Sequence, residues 1–164
     1  MSATEGITIE LVPSATDDVR GMVAELDQIL SAEYPPEQRH GLALEAIFQP
    51  GIRFFLARLD GAAVGCGGVA LFADFAEVKR MYVRDVARGC GVAQALLARI
   101  EREVQDAGLA LVRLETGARQ IAALQFYQRA GFEICAAFGA YSTMAPQAVA
   151  TSVFLQKQLG TAPT

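Results

Sequence analysis

Two glycines and an arginine separate an apolar strand pattern from an amphipathic helix pattern in the segment VRDVARGCGVAQALLARI, residues 83–100. Arg88, Gly89 and Gly91 lie within four residues of one another. Glycine lets the backbone curl so that several N–H groups point at one spot, and a helix start carries unpaired N–H groups beside a partial positive charge. Such a loop can bind an anion, and phosphate is its natural ligand. Taken alone, the loop is equally compatible with a glycine turn that has no ligand.

Two common phosphate-binding motifs do not fit this loop. The P-loop requires Gly-Lys followed by Ser or Thr, whereas Gly91 is followed by Val92 and Ala93. The dinucleotide fingerprint G-x-G-x-x-G fits at Gly89 and Gly91, but its last position is Gln94. The strand before the loop is also about the fourth of the chain rather than the first. Mg-nucleotide chemistry therefore has no support, and dinucleotide binding is disfavoured.

Other catalytic and metal-binding patterns are absent from the sequence. It contains no H-x-x-x-H, no paired Asp cluster and no G-x-S-x-G, so metallohydrolase and serine-hydrolase mechanisms have no anchor and no metal is expected. The single histidine, His40, is predicted on a surface helix, at most as part of a substrate lid. Cys66, Cys90 and Cys135 are widely spaced and odd in number, which argues against a disulfide scaffold or a structural zinc site.

Composition limits the class of protein. The chain has 164 residues, of which 52% are hydrophobic and 20% charged, and this predicts one domain over residues 1–164 with a substantial core. The net charge of −4 makes a nucleic-acid surface an unlikely first interpretation. No leader peptide is recognisable at the N-terminus, and no apolar run approaches the roughly 18 residues of a membrane span. We therefore expect a cytoplasmic protein with neither a nucleic-acid nor a membrane partner.

Hydrophobic periodicity predicts the element order β-α-α-β-β-β-α-β-α-β-β, which is an α/β or α+β mixed sheet with helices on its faces. The second helix is predicted over about 37–48, and Asp60-Gly61 predicts a tight β-hairpin. The helix after the glycine loop carries an apolar stripe for packing on the sheet, formed by Val92, Leu96, Ile100 and Val104. The loop therefore lies at a strand-to-helix junction.

Two motifs resemble one known family. The segment VKRMYVRDVARGCGVAQALLARIEREVQDAG resembles the acetyl-CoA-binding motif of the GCN5-related N-acetyltransferases (GNAT superfamily), whose Arg/Gln-x-x-Gly-x-Gly/Ala pattern is matched from Arg88 to Ala93. The segment ALQFYQRAGFE, residues 123–133, is similar to the family's A-x-x-x-Y-x-x-x-G-F segment. The resemblance covers nearly the whole chain. It implies a mostly antiparallel twisted sheet of six to seven strands with about four helices, and direct transfer of an acetyl group from acetyl-CoA to a primary amine.

The resemblance also implies a cofactor site. Backbone N–H groups of residues 88–93 would hold the pyrophosphate, and the backbone of the preceding strand would bind the pantetheine arm like a neighbouring strand. A backbone N–H near Met81 or Tyr82 would polarise the thioester carbonyl. The family often has asparagine where this chain has Gln120, and a cation where it has Cys90, so somewhat weaker cofactor binding is expected. The implied cofactor-binding residues are Met81, Tyr82, Val83, Arg88, Gly89, Cys90, Gly91, Val92, Ala93, Gln120 and Tyr127.

Two residues are implied in catalysis. Tyr127 matches the family's tyrosine near the cofactor sulfur, and a phenol with a reference pKa of about 10 is protonated at neutral pH and can act as general acid. It could instead be a core aromatic beside Phe126. Glu77 lies where some members carry a glutamate base, although it could simply pair with Lys79. Glu115 is the second candidate for the base.

The acceptor is the least determined part. In the family, the acceptor site is built from the first two helices and the loop between the last two strands, which points to Tyr34 and Tyr141. Arg80 or Arg53 could hold a substrate carboxylate. We expect a small-molecule amine, an amino acid or a peptide as acceptor. Two alternatives to this function stay open: a non-catalytic acyl-CoA-binding module, and transfer of a longer acyl chain. Assembly into a homodimer also stays open.

Overall fold

The computed structural model describes residues 6–160, which form a seven-stranded sheet flanked by four α-helices. The strands are β1 Ile7–Leu11, β2 Ile52–Leu59, β3 Ala62–Leu71, β4 Ala76–Val83, β5 Leu111–Gly117, β6 Glu133–Cys135 and β7 Ser152–Gln158. The helices are α1 Asp17–Glu33, α2 Leu44–Ile47, α3 Val92–Asp106 and α4 Ile121–Arg129. The order of elements confirms the sequence prediction. The expected absence of a leader peptide falls partly on residues 1–5, which lie outside the described residues.

The sheet is divided between β4 and β5. Its strand order is β1-β2-β3-β4-β5-β7-β6, and every neighbouring pair is antiparallel except β4–β5, which is parallel. This parallel pairing is limited to Ala76 opposite Val112 and Glu77 opposite Arg113. Beyond these residues the two strands share no ladder, so a gap opens in the middle of the sheet on the side where both strands end.

A β-bulge bends β4 beside this gap. Tyr82 pairs with Cys66 and Lys79 pairs with Gly68, so the two residues between them on β4 stand opposite a single residue of β3. One of them, Arg80, has a φ of 56°, a left-handed conformation that is uncommon outside glycine. An extra residue in one strand interrupts the ladder and redirects the backbone locally. The bulge therefore redirects the backbone of β4 where it borders the gap.

Both faces of the sheet are covered by helices. On β2, Phe54 and Leu56 belong to the core under α1, and Phe55 packs in the core under α3, as the two-residue alternation of a strand requires. The apolar stripe predicted on α3 is buried, including Leu96 and Ile100, which are 0% exposed. Burying each such side chain stabilises the fold by about 1.5–3 kcal/mol. The two cores thus fix both helices to the sheet.

The predicted second helix over 37–48 is wrong for most of its length. The structure has a 3-10 turn at Pro36–Gln38, an extended segment over 39–43 and only the short α2. The reason is tertiary: the Leu42 carbonyl accepts a hydrogen bond of 2.8 Å from Arg80 Nε, and a Cβ on Gly41 would lie 2.7 Å from Arg80 Cζ. Helical periodicity in this segment cannot reveal a contact with a strand that lies 38 residues away.

The hairpin predicted at Asp60-Gly61 is confirmed. These residues have φ values of 50° and 90° and connect β2 to β3, as a type I′ turn requires. Among residues 6–160, no helix combines the length and apolar composition that crossing a bilayer requires.

Candidate active site

A cleft of about 660 Å³ lies between the end of β4, the glycine loop and α4. Its wall contains all of the predicted cofactor-binding residues except Cys90. Those residues are Met81, Tyr82, Val83, Arg88, Gly89, Gly91, Val92, Ala93, Gln120 and Tyr127. The structure therefore brings together one set of residues from three separate parts of the sequence. Cys90 is outside the wall, and its Sγ lies 3.9 Å from the Arg88 carbonyl oxygen.

The glycine loop presents a group of backbone donors to this cleft. Gly89 and Gly91 have φ values of 79° and 87°, a left-handed conformation that costs other residues energy. The N–H groups of Arg88 and Cys90 donate to carbonyls three residues earlier, so they are already used within the loop. The remaining N–H groups make no hydrogen bond to any residue in 6–160; they belong to Gly89, Gly91, Val92, Ala93 and Gln94. Of the backbone donors expected over residues 88–93, Gly89, Gly91, Val92 and Ala93 are therefore free to bind a ligand, and Gln94 adds one more.

Three arginines surround the cleft. Arg88 is exposed and pairs with Asp85 at 3.0 Å, a surface ion pair of little net energy that an incoming phosphate can replace. The sequence analysis missed Arg119, which lies two residues before α4, and Arg129, which is the last residue of α4. Their only signal in the sequence is that they flank the tyrosine motif. The cleft is therefore rich in positive charge as well as in backbone donors.

A second cavity of about 150 Å³ lies in the gap between β4 and β5. Its wall is formed by both strands, the end of α1, residues 38–41 and Tyr141. It shares several wall residues with the cleft, namely Leu26, Met81, Gln120, Ala123 and Tyr127. The two spaces therefore meet where the ladder between the strands is missing.

Tyr127 lies at this meeting point. Its side chain is 5% exposed, and its hydroxyl makes no hydrogen bond to any residue that the structure describes. Burial raises the pKa of the Tyr127 phenol well above its ordinary value. The hydroxyl is therefore a protonated donor throughout the neutral range. The ring of Tyr127 also packs against Phe126 and Phe132, so Tyr127 contributes to the hydrophobic core as well.

Glu77 belongs to a closed network of three side chains. The Tyr141 hydroxyl donates to Glu77 Oε2 at 2.7 Å, Lys79 Nζ lies 3.0 Å from the same oxygen, and Lys79 donates to the Tyr141 hydroxyl at 2.8 Å. Burial and the charge of Glu77 raise the pKa of the Tyr141 phenol. Glu77 is only 5% exposed. The predicted base thus has one oxygen already occupied by two partners.

Glu115 faces the same cavity from β5. Ser152 Oγ donates to its Oε2 at 2.5 Å. Burial raises the pKa of the Glu115 carboxyl. The hydrogen bond from Ser152 and the charges of His40 and Lys79 oppose this shift, and the charge of Glu77 reinforces it. A carboxylate with a raised pKa is a stronger base at neutral pH than an ordinary one.

His40 lies on the cavity wall rather than on a surface helix, so that part of the prediction is wrong. The residue is half-buried in the extended segment, and its Nε2 lies 2.7 Å from the Ala148 carbonyl oxygen. Its ring meets Tyr141 edge-on at 5.4 Å between centroids. His40 therefore connects the segment after α1 to the segment before β7, the two parts of the chain that cover the cavity.

The remaining predicted acceptor residues also line the cavity, with their polar groups already engaged. The Tyr34 hydroxyl accepts the Arg119 backbone N–H at 2.8 Å. Arg80 binds the Leu42 carbonyl and pairs with Asp27 at 2.5 Å, which fixes the bulge to α1.

Arg53 and Gln120 differ in their positions. Arg53 lines neither space and pairs with Glu103 of α3 at 3.4 Å, so it is removed from the candidates for a substrate carboxylate. The Gln120 side-chain amide donates to the Glu33 carboxylate and therefore connects the start of α4 to the end of α1. Gln120 belongs to the walls of both the cleft and the cavity.

Comparison with known proteins agrees with this arrangement. The sequence model of the acetyltransferase (GNAT) family matches residues 23–132. An IAA acetyltransferase of Azospirillum brasilense is 39% identical over 155 residues, which cover 93% of this chain and 98% of that protein. An aminoalkylphosphonate N-acetyltransferase of Salmonella typhimurium is 28% identical over 76% of this chain and 84% of that protein.

Solved structures show the same fold. A crystal structure from Klebsiella pneumoniae, provisionally assigned as an acyl-CoA N-acyltransferase, superimposes with a TM-score of 0.75 at 28% identity, over 97% of this chain and 100% of that one. The chain is an acyl-CoA N-acyltransferase in fold and in family pattern. It belongs to the acetyltransferase (GNAT) family, which confirms the resemblance found in the sequence, and it is accordingly an enzyme with acetyl-CoA as its cofactor.

Proposed function

We propose that this enzyme transfers the acetyl group of acetyl-CoA directly to a primary amine of a small molecule, an amino acid or a peptide while both are bound. One observation carries the proposal: the donor-lined cleft and the carboxylate-lined cavity adjoin at Tyr127, which lies in both walls beside the gap between β4 and β5. A thioester in the cleft and an amine in the cavity would meet there. Holding two reactants in contact is itself a large part of catalysis.

The cleft suits coenzyme A at both of its chemically distinct parts. The unpaired N–H groups at the start of α3 can bind the pyrophosphate together with Arg88, and Arg119 and Arg129 add positive charge for the remaining phosphate. The unpaired edge of β4 can hydrogen-bond the amide groups of the pantetheine arm as a neighbouring strand would. In this arrangement the thioester would lie beside Met81, where the bulge redirects the backbone and an N–H would stabilise the developing oxyanion.

The chemical step requires two proton transfers. The amine nitrogen attacks the thioester carbon and loses a proton, the new C–N bond forms, and the C–S bond breaks to release the thiolate. We assign Glu115 as the base because burial raises its pKa and its Oε2 accepts from the neutral Ser152 hydroxyl, whereas Glu77 Oε2 is paired with the Lys79 cation and also accepts from Tyr141. Tyr127 donates its hydroxyl proton to the leaving thiolate. Glu77 then serves to hold Tyr141 and Lys79 in the cavity wall.

A thiol-release assay tests this function. Acetyl-CoA is mixed with the enzyme and a panel of amines, amino acids and peptides, and initial rates are measured while both substrates are varied. Direct transfer predicts intersecting double-reciprocal plots, whereas an acyl-enzyme would give parallel ones. Cys90→Ser should retain full activity because Cys90 lies outside the cleft wall. If CoA stabilises the fold against heat but no acceptor raises thiol release, the protein is a binding module and the proposal fails.

A further inference from the structure

One cation in the acceptor cavity has no partner in the part of the chain that the structure describes. Arg39 lines the cavity from the extended segment after the first 3-10 turn. Its Nε is buried and makes no hydrogen bond, and its guanidinium forms no ion pair within residues 6–160. Buried polar groups in proteins are nearly always hydrogen-bonded, so each exception requires an explanation.

The other charged groups around the cavity are already engaged. Glu77 pairs with Lys79, and Glu115 accepts from Ser152. Arg80, the cation first predicted to hold a substrate carboxylate, pairs with Asp27. Among the described residues, every other charged side chain named here therefore has a hydrogen-bond or ion-pair partner, and the Arg39 guanidinium has none.

We propose that the acceptor is a small amine that also carries a carboxylate, and that Arg39 binds this carboxylate. This inference rests on the proposed function and names the substrate class of the same cavity. The planar guanidinium forms two parallel hydrogen bonds with a carboxylate, a pairing that neutral amides cannot reproduce. The amine of the same molecule is directed away from Arg39 and toward the carboxylates and the thioester.

The size of the cavity agrees with such a ligand. An engineered apolar cavity of about 150 Å³ in another protein holds benzene, which has about six non-hydrogen atoms. The acceptor cavity here has a similar volume of about 150 Å³. A short amino acid matches this size and carries both an amine and a carboxylate. The N-terminal residue of a peptide carries an amide where the free amino acid has its carboxylate. The inference therefore narrows the acceptors from amines in general to small amino acids.

Matched acceptor pairs test the inference. Thiol release is measured with β-alanine and γ-aminobutyrate and with their neutral amides, which have the same chain length. The wild type should prefer each carboxylate over its amide by about tenfold or more in kcat/KM. Arg39→Gln should abolish this preference while retaining activity on the amides, and Arg39→Lys should retain part of it. Arg102→Gln, an exposed arginine on α3 outside both spaces, serves as control and should keep the wild-type preference.

A binding measurement keeps the inference separate from catalysis. N-Acetyl-β-alanine should raise the melting temperature of the CoA-saturated wild type but not of CoA-saturated Arg39→Gln, and its neutral amide should raise neither. A wild type that uses amides as well as carboxylates, or a preference that survives in Arg39→Gln, would overturn the inference while leaving acetyl transfer intact. If no acceptor supports thiol release, the proposed function fails, and the melting-temperature comparison still decides whether Arg39 binds a carboxylate. Should Arg39→Gln not fold, Arg39→Lys and the wild-type comparison decide.

Discussion

At the scale of single residues, three groups on the cavity walls are set apart by their burial. The Tyr127 side chain is buried and its hydroxyl has no partner among the described residues, Glu115 has a pKa raised by burial, and Arg39 has a buried Nε that no residue in 6–160 hydrogen-bonds. Groups of this kind concentrate at functional sites because substrate supplies what the fold leaves out. Each of them can be tested by removing one functional group.

Replacing Tyr127 with phenylalanine removes the hydroxyl and keeps the ring that packs against Phe126 and Phe132. Turnover should fall by about tenfold or more, the lower end of general-acid effects, because the leaving thiolate loses its proton donor. CoA affinity, measured by calorimetry, should stay nearly unchanged. An unchanged turnover would remove Tyr127 from the mechanism.

Glu115 sets the expected pH dependence. A base must be deprotonated to act, so kcat/KM should fall as the pH is lowered through the Glu115 pKa, which burial raises above its ordinary value. Glu115→Gln should lower activity and eliminate this acidic limb. Glu77→Gln should retain the limb, since the group that titrates is still present. The reverse pattern would identify Glu77 as the base.

At the scale of elements, the glycine loop could be predicted from sequence because its requirements are local. Left-handed residues before a helix demand glycine, and the amphipathic stripe of α3 identifies where the helix begins. The segment over 39–43 could not be predicted, because its extended form depends on a hydrogen bond from Arg80. The same holds for Arg39, Arg119 and Arg129, whose positions follow from the way distant elements meet.

The loop can be tested with two alanine substitutions in the same local situation. Gly89 and Gly108 have φ values of 79° and 82°, and a Cβ on either would meet no atom within 4 Å. Both substitutions introduce about 1 kcal/mol of strain, the cost of a left-handed alanine. Only Gly89→Ala should weaken CoA binding, by about fivefold if the free loop relaxes from this conformation and CoA binding has to restore it.

CoA affinity is measured for both variants at the same denaturant concentration. Equal affinities would contradict the assignment of the loop as the phosphate site. Gly108 is the suitable control because it follows the other end of α3, outside the wall of the cleft.

At the scale of the whole molecule, the sheet order and both cores follow from patterns that sequence shows well. Strand alternation, the Asp60-Gly61 turn and the stripe of α3 together predict which faces are buried. The width of the gap between β4 and β5 is not contained in any such pattern. The gap lies beside the bulge at Arg80, and Arg80 is held by Leu42 and Asp27, which lie far away in the sequence.

The gap has a consequence for backbone dynamics. Because the ladder between β4 and β5 stops at Glu77 and Arg113, amides on the exposed edge of β4 have no strand to protect them from exchange with solvent deuterium. Bound CoA would fill this place, so amide exchange over Met81–Val83 should slow when the cofactor is added, whereas exchange in β2 should change little. Mass spectrometry of the exchanged protein would read occupancy of the cleft directly, without any acceptor. In the proposed complex, the pantetheine arm would therefore take the place of a neighbouring strand along this edge of β4.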